Sequence, residues 1–234
     1  CGVKPVEVRV LFRAQTMKQK TIAIINDSEV TVGSLPSNII SINAWEINWN
    51  DLSLDDNYII LGGHMGSYDD QKFTYLQEEK QWLKYAINAN VKILGICLGS
   101  QLIADAMGGA AFLSKNIEFG FKNLEFLIDD SLFDDFKNTK VFSWHRDTFN
   151  IPPEAILIAK TEYPQIYRIK NSLALQFHPE IKLDLFENWY DSDISRKELA
   201  NYDVHSELNY LKDNSQQLEK SMRNFYNKWI AFKH

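Results

Sequence analysis

Three short apolar runs constrain this chain most: TIAIIND (residues 21–27), YIILGG (58–63) and VKILGIC (91–97). Each is too short for a buried helix and apolar without alternation, as in parallel strands covered on both faces. Between the last two, Phe73, Leu76, Leu83, Ala86 and Ile87 recur at helical spacing, which predicts a crossover helix joining strand to parallel strand. A weaker strand, NIISIN (38–43), lies between the first two along the chain. A second helix, LGSQLIADAMGG, follows Cys97 and is closed by Gly108 and Gly109.

After about residue 110 the pattern changes. AAFLS, KNLEFLI, KVFSW, AILIAK, QIYRI and LALQF are short runs separated by turn residues, which predicts antiparallel strands. From Glu207 onward, Leu208, Leu211, Leu218, Met222, Phe225, Trp229 and Phe232 form one helical stripe opposite charged residues, the pattern of a core-packing helix. No linker divides the chain, so residues 17–234 are expected to form a single domain. Residues 1–16 are read as a leader or extra N-terminal segment, because Met17 leads directly into the first strand; Val6, Val8 and Val10 could add an edge strand there.

Composition narrows the function. The 234 residues carry 25 Lys and Arg against 31 Asp and Glu, a net charge of −6, which supplies no broad basic face for nucleic acid. No apolar run approaches the roughly 18 residues of a membrane span. The two cysteines, Cys1 and Cys97, form no disulfide framework, and a free thiol beside an apolar run points to the reducing cytoplasm.

Cys97 stands in GICLGSQ, where a strand gives way to a helix and a glycine lies two residues away on either side. A nucleophile on such a sharp turn is crowded by backbone, and residues without a Cβ relieve the crowding. The free N–H groups of the helix start favour thiolate. Taken alone, the pattern also fits a small apolar residue ending a core strand. LALQFHPE supplies the second signal: Pro179 holds His178 extended, and residues two apart point the same way. Glu180 then reaches the imidazole, fixes its tautomer and leaves the other nitrogen to exchange a proton with sulfur. In LGGHMG, Gly63 follows a strand neighbouring that of Cys97. Its amide and that of Leu98 are candidate oxyanion donors, the alternative being an ordinary glycine turn. The histidines show no metal-ligand spacing, and this chemistry requires neither metal nor organic cofactor.

The motifs GICLGSQ, LQFHPE and LGGHMG, with the weaker FSWHRDTFNIP and IEFG between them, resemble the class I, or triad, glutamine amidotransferases. VFSWHRDTFNIPPEAILIAKTE is most similar to free-standing members like the amidotransferase domain of GMP synthase. The resemblance implies an α/β fold with a Rossmann-like, mostly parallel open sheet, helices on both faces and an added antiparallel portion. It implies hydrolysis of the glutamine side-chain amide, with Cys97 as nucleophile, His178 as acid and base and Glu180 as the carboxylate that orients it. Gln101 matches a substrate-contacting position. Ser143, Trp144 and His145 align with a stretch that holds the amino-acid end of glutamine largely by backbone groups; His145 either lines the pocket or satisfies neighbouring carbonyls. One departure is His64, where similar domains often have proline. No Walker-type phosphate loop and no second catalytic domain occur in this sequence, so the chain is not expected to make GMP by itself. Ammonia would pass to a synthetase on another chain. The alternatives are a stand-alone γ-glutamyl hydrolase, in which the leaving amine belongs to a peptide or metabolite, and a catalytically silent binding protein.

Overall fold

The computed structural model describes residues 19–232; the leader read over residues 1–16 and the edge strand around Val6, Val8 and Val10 lie outside them. The first half alternates as the apolar runs predict: β1 (Thr21–Ile25), β2 (Ile40–Asn43), β3 (Asn57–Ile60), α1 (Tyr75–Asn88), β4 (Ile93–Ile96) and α2 (Leu98–Ala106). The second half contributes β5 (Ala110–Lys122), β6 (Glu125–Phe126), α3 (Asp134–Lys137), β7 (Val141–Asn150), β8 (Ile156–Lys160), β9 (Pro164–Ile169) and β10 (Ser172–Leu175). Three helices follow: α4 (Leu183–Tyr190), α5 (Asp193–Glu198) and α6 (Val204–Ala231).

Eight strands form one sheet in the order β2-β1-β3-β4-β10-β9-β8-β6, and β5 and β7 form a separate antiparallel ribbon. β2, β1, β3, β4 and β10 run parallel to one another; β9, β8 and β6 complete the sheet antiparallel. The expectation that LALQF joins only antiparallel neighbours is therefore corrected. β10 is antiparallel to β9 but parallel to β4, with Leu173 opposite Leu94. All four of its residues are buried, as suits a central strand with neighbours on both sides. β5 also runs well beyond AAFLS, through IEFG to Lys122.

Alternate residues of the central strands feed two cores. Ile22, Ile24, Tyr58, Ile60 and Ile93 pack with buried residues of α1 and α2. Ala23, Ile59, Leu61, Leu94 and Ile96 pack with Phe133, Phe136 and the α6 residues Met222, Phe225 and Trp229. Helices therefore cover both faces. α6 begins one turn before the expected start, where the Asp203 carboxylate accepts the Ser206 N–H at 3.0 Å, a helix N-cap. Its stripe of Leu211, Leu218, Met222, Phe225 and Trp229 is buried, so it is the core-packing helix that the pattern predicts. No helix of the described residues is long and apolar enough to cross a membrane.

Among the described residues, Glu79 is a buried carboxyl with no salt bridge. Glu79 of α1 is fully inaccessible, and its Oε1 accepts the Asn26 Nδ2 at 3.3 Å. Burial pushes its pKa up to about 8, against the opposing pull of the Asn26 bond. The folded protein thus holds this proton more tightly than the unfolded chain, and stability falls as pH rises between about 4.5 and 8. Glu79→Gln, which keeps the shape and removes the charge, is expected to raise stability at pH 8 by on the order of 3 kcal/mol. At pH 4.5 it should change little. Urea denaturation at the two pH values measures the difference; an equal effect at both would overturn the assignment.

Candidate active site

The strand β4 ends where the Cys97 N–H donates to the Leu175 carbonyl of β10 at 2.8 Å. The backbone then turns through φ 51° and ψ −108° at Cys97, a left-handed φ that a residue with a side chain adopts only when its surroundings enforce it. Two glycines allow that enforcement. A Cβ on Gly95 would stand 2.6 Å from the Gly99 carbonyl oxygen, and one on Gly99 would stand 2.1 Å from the Ile60 carbonyl oxygen. α2 is thus seated directly on β3 and β4. The Cys97 carbonyl accepts from the Ser100 and Gln101 amides, which leaves its side chain at the N-terminal end of the helix. The thiol is free, 6 % exposed and part of a cleft wall.

His178 follows β10, and its N–H is anchored on the Phe142 carbonyl at 2.8 Å. Its Nδ1 donates to Glu180 Oε1 at 2.8 Å, which leaves the other ring nitrogen free; the ring and Cys97 line the same cleft, and a Cβ on Gly62 would lie 3.3 Å from His178 Cε1 and 3.5 Å from Cys97 Cβ. Trp189 packs against the imidazole with ring centroids 4.7 Å apart. Burial alone would depress the imidazolium, but Glu180 and the Cys97 sulfur outweigh it and hold the pKa well above its ordinary value. A protonated ring beside the sulfur is the state that can donate to a leaving amine. Glu180 is fully buried, and its backbone carbonyl accepts the Ser34 N–H at 2.9 Å, which fixes the carboxylate from behind.

The remaining sequence candidates divide. Gly63 lines the cleft, and a Cβ there would lie 3.1 Å from Leu98 Cδ2, so the two residues whose amides are candidate oxyanion donors are neighbours. Leu98 opens α2, where an N–H has no acceptor within the helix, while its side chain is buried. Gln101 lines the cleft, its Nε2 3.3 Å from Gln176 Oε1. Trp144 also lines it and donates from Nε1 to Glu198 at 3.4 Å. His145 lies at the wall with both ring nitrogens engaged, Nδ1 with the Asp147 carbonyl at 2.9 Å and Nε2 with Glu118 at 2.8 Å. It therefore both lines the cleft and satisfies a neighbouring carbonyl. Ser143 is fully buried opposite Gly120, and its side chain does not line the cleft.

The cleft measures about 450 Å³, and its lining includes Arg146 and Asp147 of the FSWHRDTFNIP stretch on β7 together with residues that no sequence motif indicated: Asp27 and Glu29 after β1, and Trp189, Ser192, Ile194, Ser195 and Glu198 on α4, α5 and their junction. α4 and α5 are short and carry no long apolar stripe, which hid their share of the lining. Asp27 was findable, since it ends a run whose strand terminates at the site.

Residues 17–192 match the family model described as glutamine amidotransferase class-I. The chain is 32 % identical over 157 residues to a GMP synthase (glutamine-hydrolyzing) of Wigglesworthia glossinidia brevipalpis, covering 60 % of this chain and 29 % of that one. It is 29 % identical over 151 residues to a subunit of the GMP synthase (glutamine-hydrolyzing) of Methanothermobacter thermautotrophicus, covering 60 % and 76 %. The match thus spans under a third of the first relative's length. A crystal structure of a glutamine amidotransferase from Thermotoga maritima superposes with a TM-score of 0.80 at 24 % identity, over 91 % of this chain and 98 % of that one.

Proposed function

The chain belongs to the class I glutamine amidotransferase family, and on that premise we propose that it hydrolyses the side-chain amide of L-glutamine and releases ammonia for a separate acceptor enzyme. The observation that carries the proposal is the grouping of Cys97, His178 and Glu180 past the carboxyl ends of β4 and β10, with Nδ1 2.8 Å from the carboxylate and the imidazole lining the same cleft as the thiol.

In this mechanism the Cys97 thiolate attacks the amide carbon, and the negative charge moves to the carbonyl oxygen, held by the Leu98 and Gly63 amides. The intermediate collapses, the C–N bond breaks and the His178 imidazolium protonates the departing ammonia. A glutamyl thioester on Cys97 and a neutral imidazole remain. His178 then takes a proton from water as its oxygen attacks the thioester, and the C–S bond breaks to give glutamate and the starting thiolate–imidazolium pair. Glu180 stays ionised throughout, orienting the ring and stabilising its charge. Gln101 and the backbone of Ser143, Trp144 and His145 would hold the amino-acid end.

The acceptor would be an ATP-dependent synthetase on another chain; the relative from Methanothermobacter thermautotrophicus is itself one subunit of its enzyme. A second reading, a stand-alone γ-glutamyl hydrolase, is favoured by one observation. The cleft measures about 450 Å³, with Ser192, Ile194 and Ser195 in its lining besides Cys97 and His178, a volume that could take a leaving group larger than ammonia. Comparing kcat/KM of the purified chain for L-glutamine with values for a panel of γ-glutamyl peptides decides between them. The amidotransferase reading expects slow turnover of glutamine and no peptide more than about tenfold better, a difference of about 1.4 kcal/mol in transition-state binding. Efficient cleavage of a peptide, with glutamine far behind, would replace it by the hydrolase reading and leave the triad mechanism standing.

A further inference from the structure

We propose that Asp27 is a positioning residue that aims the Gly63 amide at the developing oxyanion, a role that rests on the amidohydrolase reading above. The loop concerned leaves β3 through Leu61, Gly62, Gly63 and His64. Two consecutive glycines at its centre have the widest backbone freedom available, so the direction of the Gly63 N–H is set by how the ends are held. Both ends are held by β1 and its extension. The Leu61 N–H donates to the Ile24 carbonyl at 3.0 Å. The His64 N–H donates to Asp27 Oδ2 at 3.0 Å, and the His64 Nδ1 lies 2.6 Å from the same oxygen.

Asp27 is itself placed for this. It is 6 % exposed, and its Oδ1 accepts the Glu29 N–H at 3.0 Å, so the carboxylate plane is fixed by its own loop. Burial works against its charge, but the bonds from the Glu29 amide and from the His64 ring and amide hold its pKa below the usual carboxylate range. The His64 ring adds a second latch, its position supported by an edge-on contact with Phe73 at 5.6 Å. The peptide unit that carries the His64 N–H also carries the Gly63 carbonyl. With that unit held at one end and Leu61 held at the other, the swing of the Gly63 amide between them is limited. Clamp and catalytic pair converge here: a Cβ on Gly62 would lie 3.3 Å from His178 Cε1 and 3.5 Å from Cys97 Cβ, and one on Gly63 would lie 3.4 Å from Asp27 Cβ.

The test separates oxyanion stabilisation from general damage by using two reactions of the same sulfur. Acylation by a γ-glutamyl amide builds an oxyanion; alkylation by iodoacetamide displaces iodide and builds none. In Asp27→Ala, kcat for the better of glutamine and a γ-glutamyl peptide is expected to fall about 10- to 100-fold, approaching the loss of a whole oxyanion donor. KM should stay within about twofold, since the amide acts on the transition state. Alkylation of Cys97, followed by mass spectrometry of its peptide, should also stay within about twofold of wild type. Asp27→Asn keeps an oxygen for the His64 N–H and is expected to recover most of kcat. An unchanged kcat in Asp27→Ala, a joint fall of kcat and alkylation, or an Asn variant no better than Ala would each overturn the clamp. No turnover by the wild type would overturn the amidohydrolase reading itself, and the clamp's role with it.

Discussion

Cys97→Ala is expected to lower the release of glutamate and ammonia by at least about 10⁴-fold while the protein stays folded. In the proposed mechanism the sulfur carries the acyl group, and neither water nor His178 would replace it. The substitution asks little of the fold. Alanine keeps the Cβ, bears the same left-handed backbone strain as any residue with a side chain, and removes one atom from a site already open to the cleft. Stability is therefore expected to change by less than about 1 kcal/mol. An electronic consequence should accompany the loss. The Cys97 sulfur is one of the groups that raise the His178 pKa, so in the alanine variant the imidazole should titrate lower, readable from its ring-proton shifts by NMR. Retention of more than about 1 % of activity, or a glutamine-analogue electrophile that modifies Cys1 and spares Cys97, would overturn the nucleophile assignment.

The elements that sequence shows best are those whose cause is local. β1, β3 and β4 are largely apolar because each is covered on both faces, and Gly95 is dictated by a contact within its own strand–turn–helix unit, whereas Gly99 answers to Ile60 of the neighbouring strand β3. His178 and Glu180 were legible as a pair because they stand two apart around a proline, although the carboxylate reaches the ring at 2.8 Å through a turn, closed by the Ile181 N–H on the His178 carbonyl, and not along an extended run. What stayed hidden depends on partners distant in the chain. The direction of β10 relative to its neighbours follows from its seat between β4 and β9, and the run LALQF fits either direction. Asp27 has no motif of its own; its role comes from a loop 37 residues away. Trp189 and the cleft wall of α5 lie on helices too short for a periodicity to stand out, yet Trp189 packs against the His178 ring. The match put the stretch Ser143 to His145 beside the site, but Ser143 turns its side chain into the protein and His145 is bound on both nitrogens, so little but backbone and Trp144 is left to face a ligand.

Gly99→Ala should cost more than about 3 kcal/mol of stability, although helix propensity alone predicts the opposite. In an exposed helix the change from glycine to alanine gains up to about 1 kcal/mol. Here the new methyl would lie 2.1 Å from the Ile60 carbonyl oxygen and 2.8 Å from its carbon. Those atoms belong to β3, which is paired on one side with β1 and on the other with β4, so the obstacle is a central strand rather than the end of a flexible side chain. Nor can α2 retreat cheaply. Leu102, Ile103 and Ala104 are fully buried beneath it, and lifting the helix by the ångström or more that the methyl needs would open that packing. The elbow would move with the helix, because Cys97 and the Leu98 amide sit at its first turn. A displacement of that size from a productive geometry costs on the order of 10²-fold in rate. Loss of activity in the fraction that remains folded should therefore accompany the loss of stability. Urea denaturation, with kinetics corrected for the folded fraction, measures both. A variant as stable as the wild type would mean that the close seating of α2 on β3 is not what shapes the turn at Cys97.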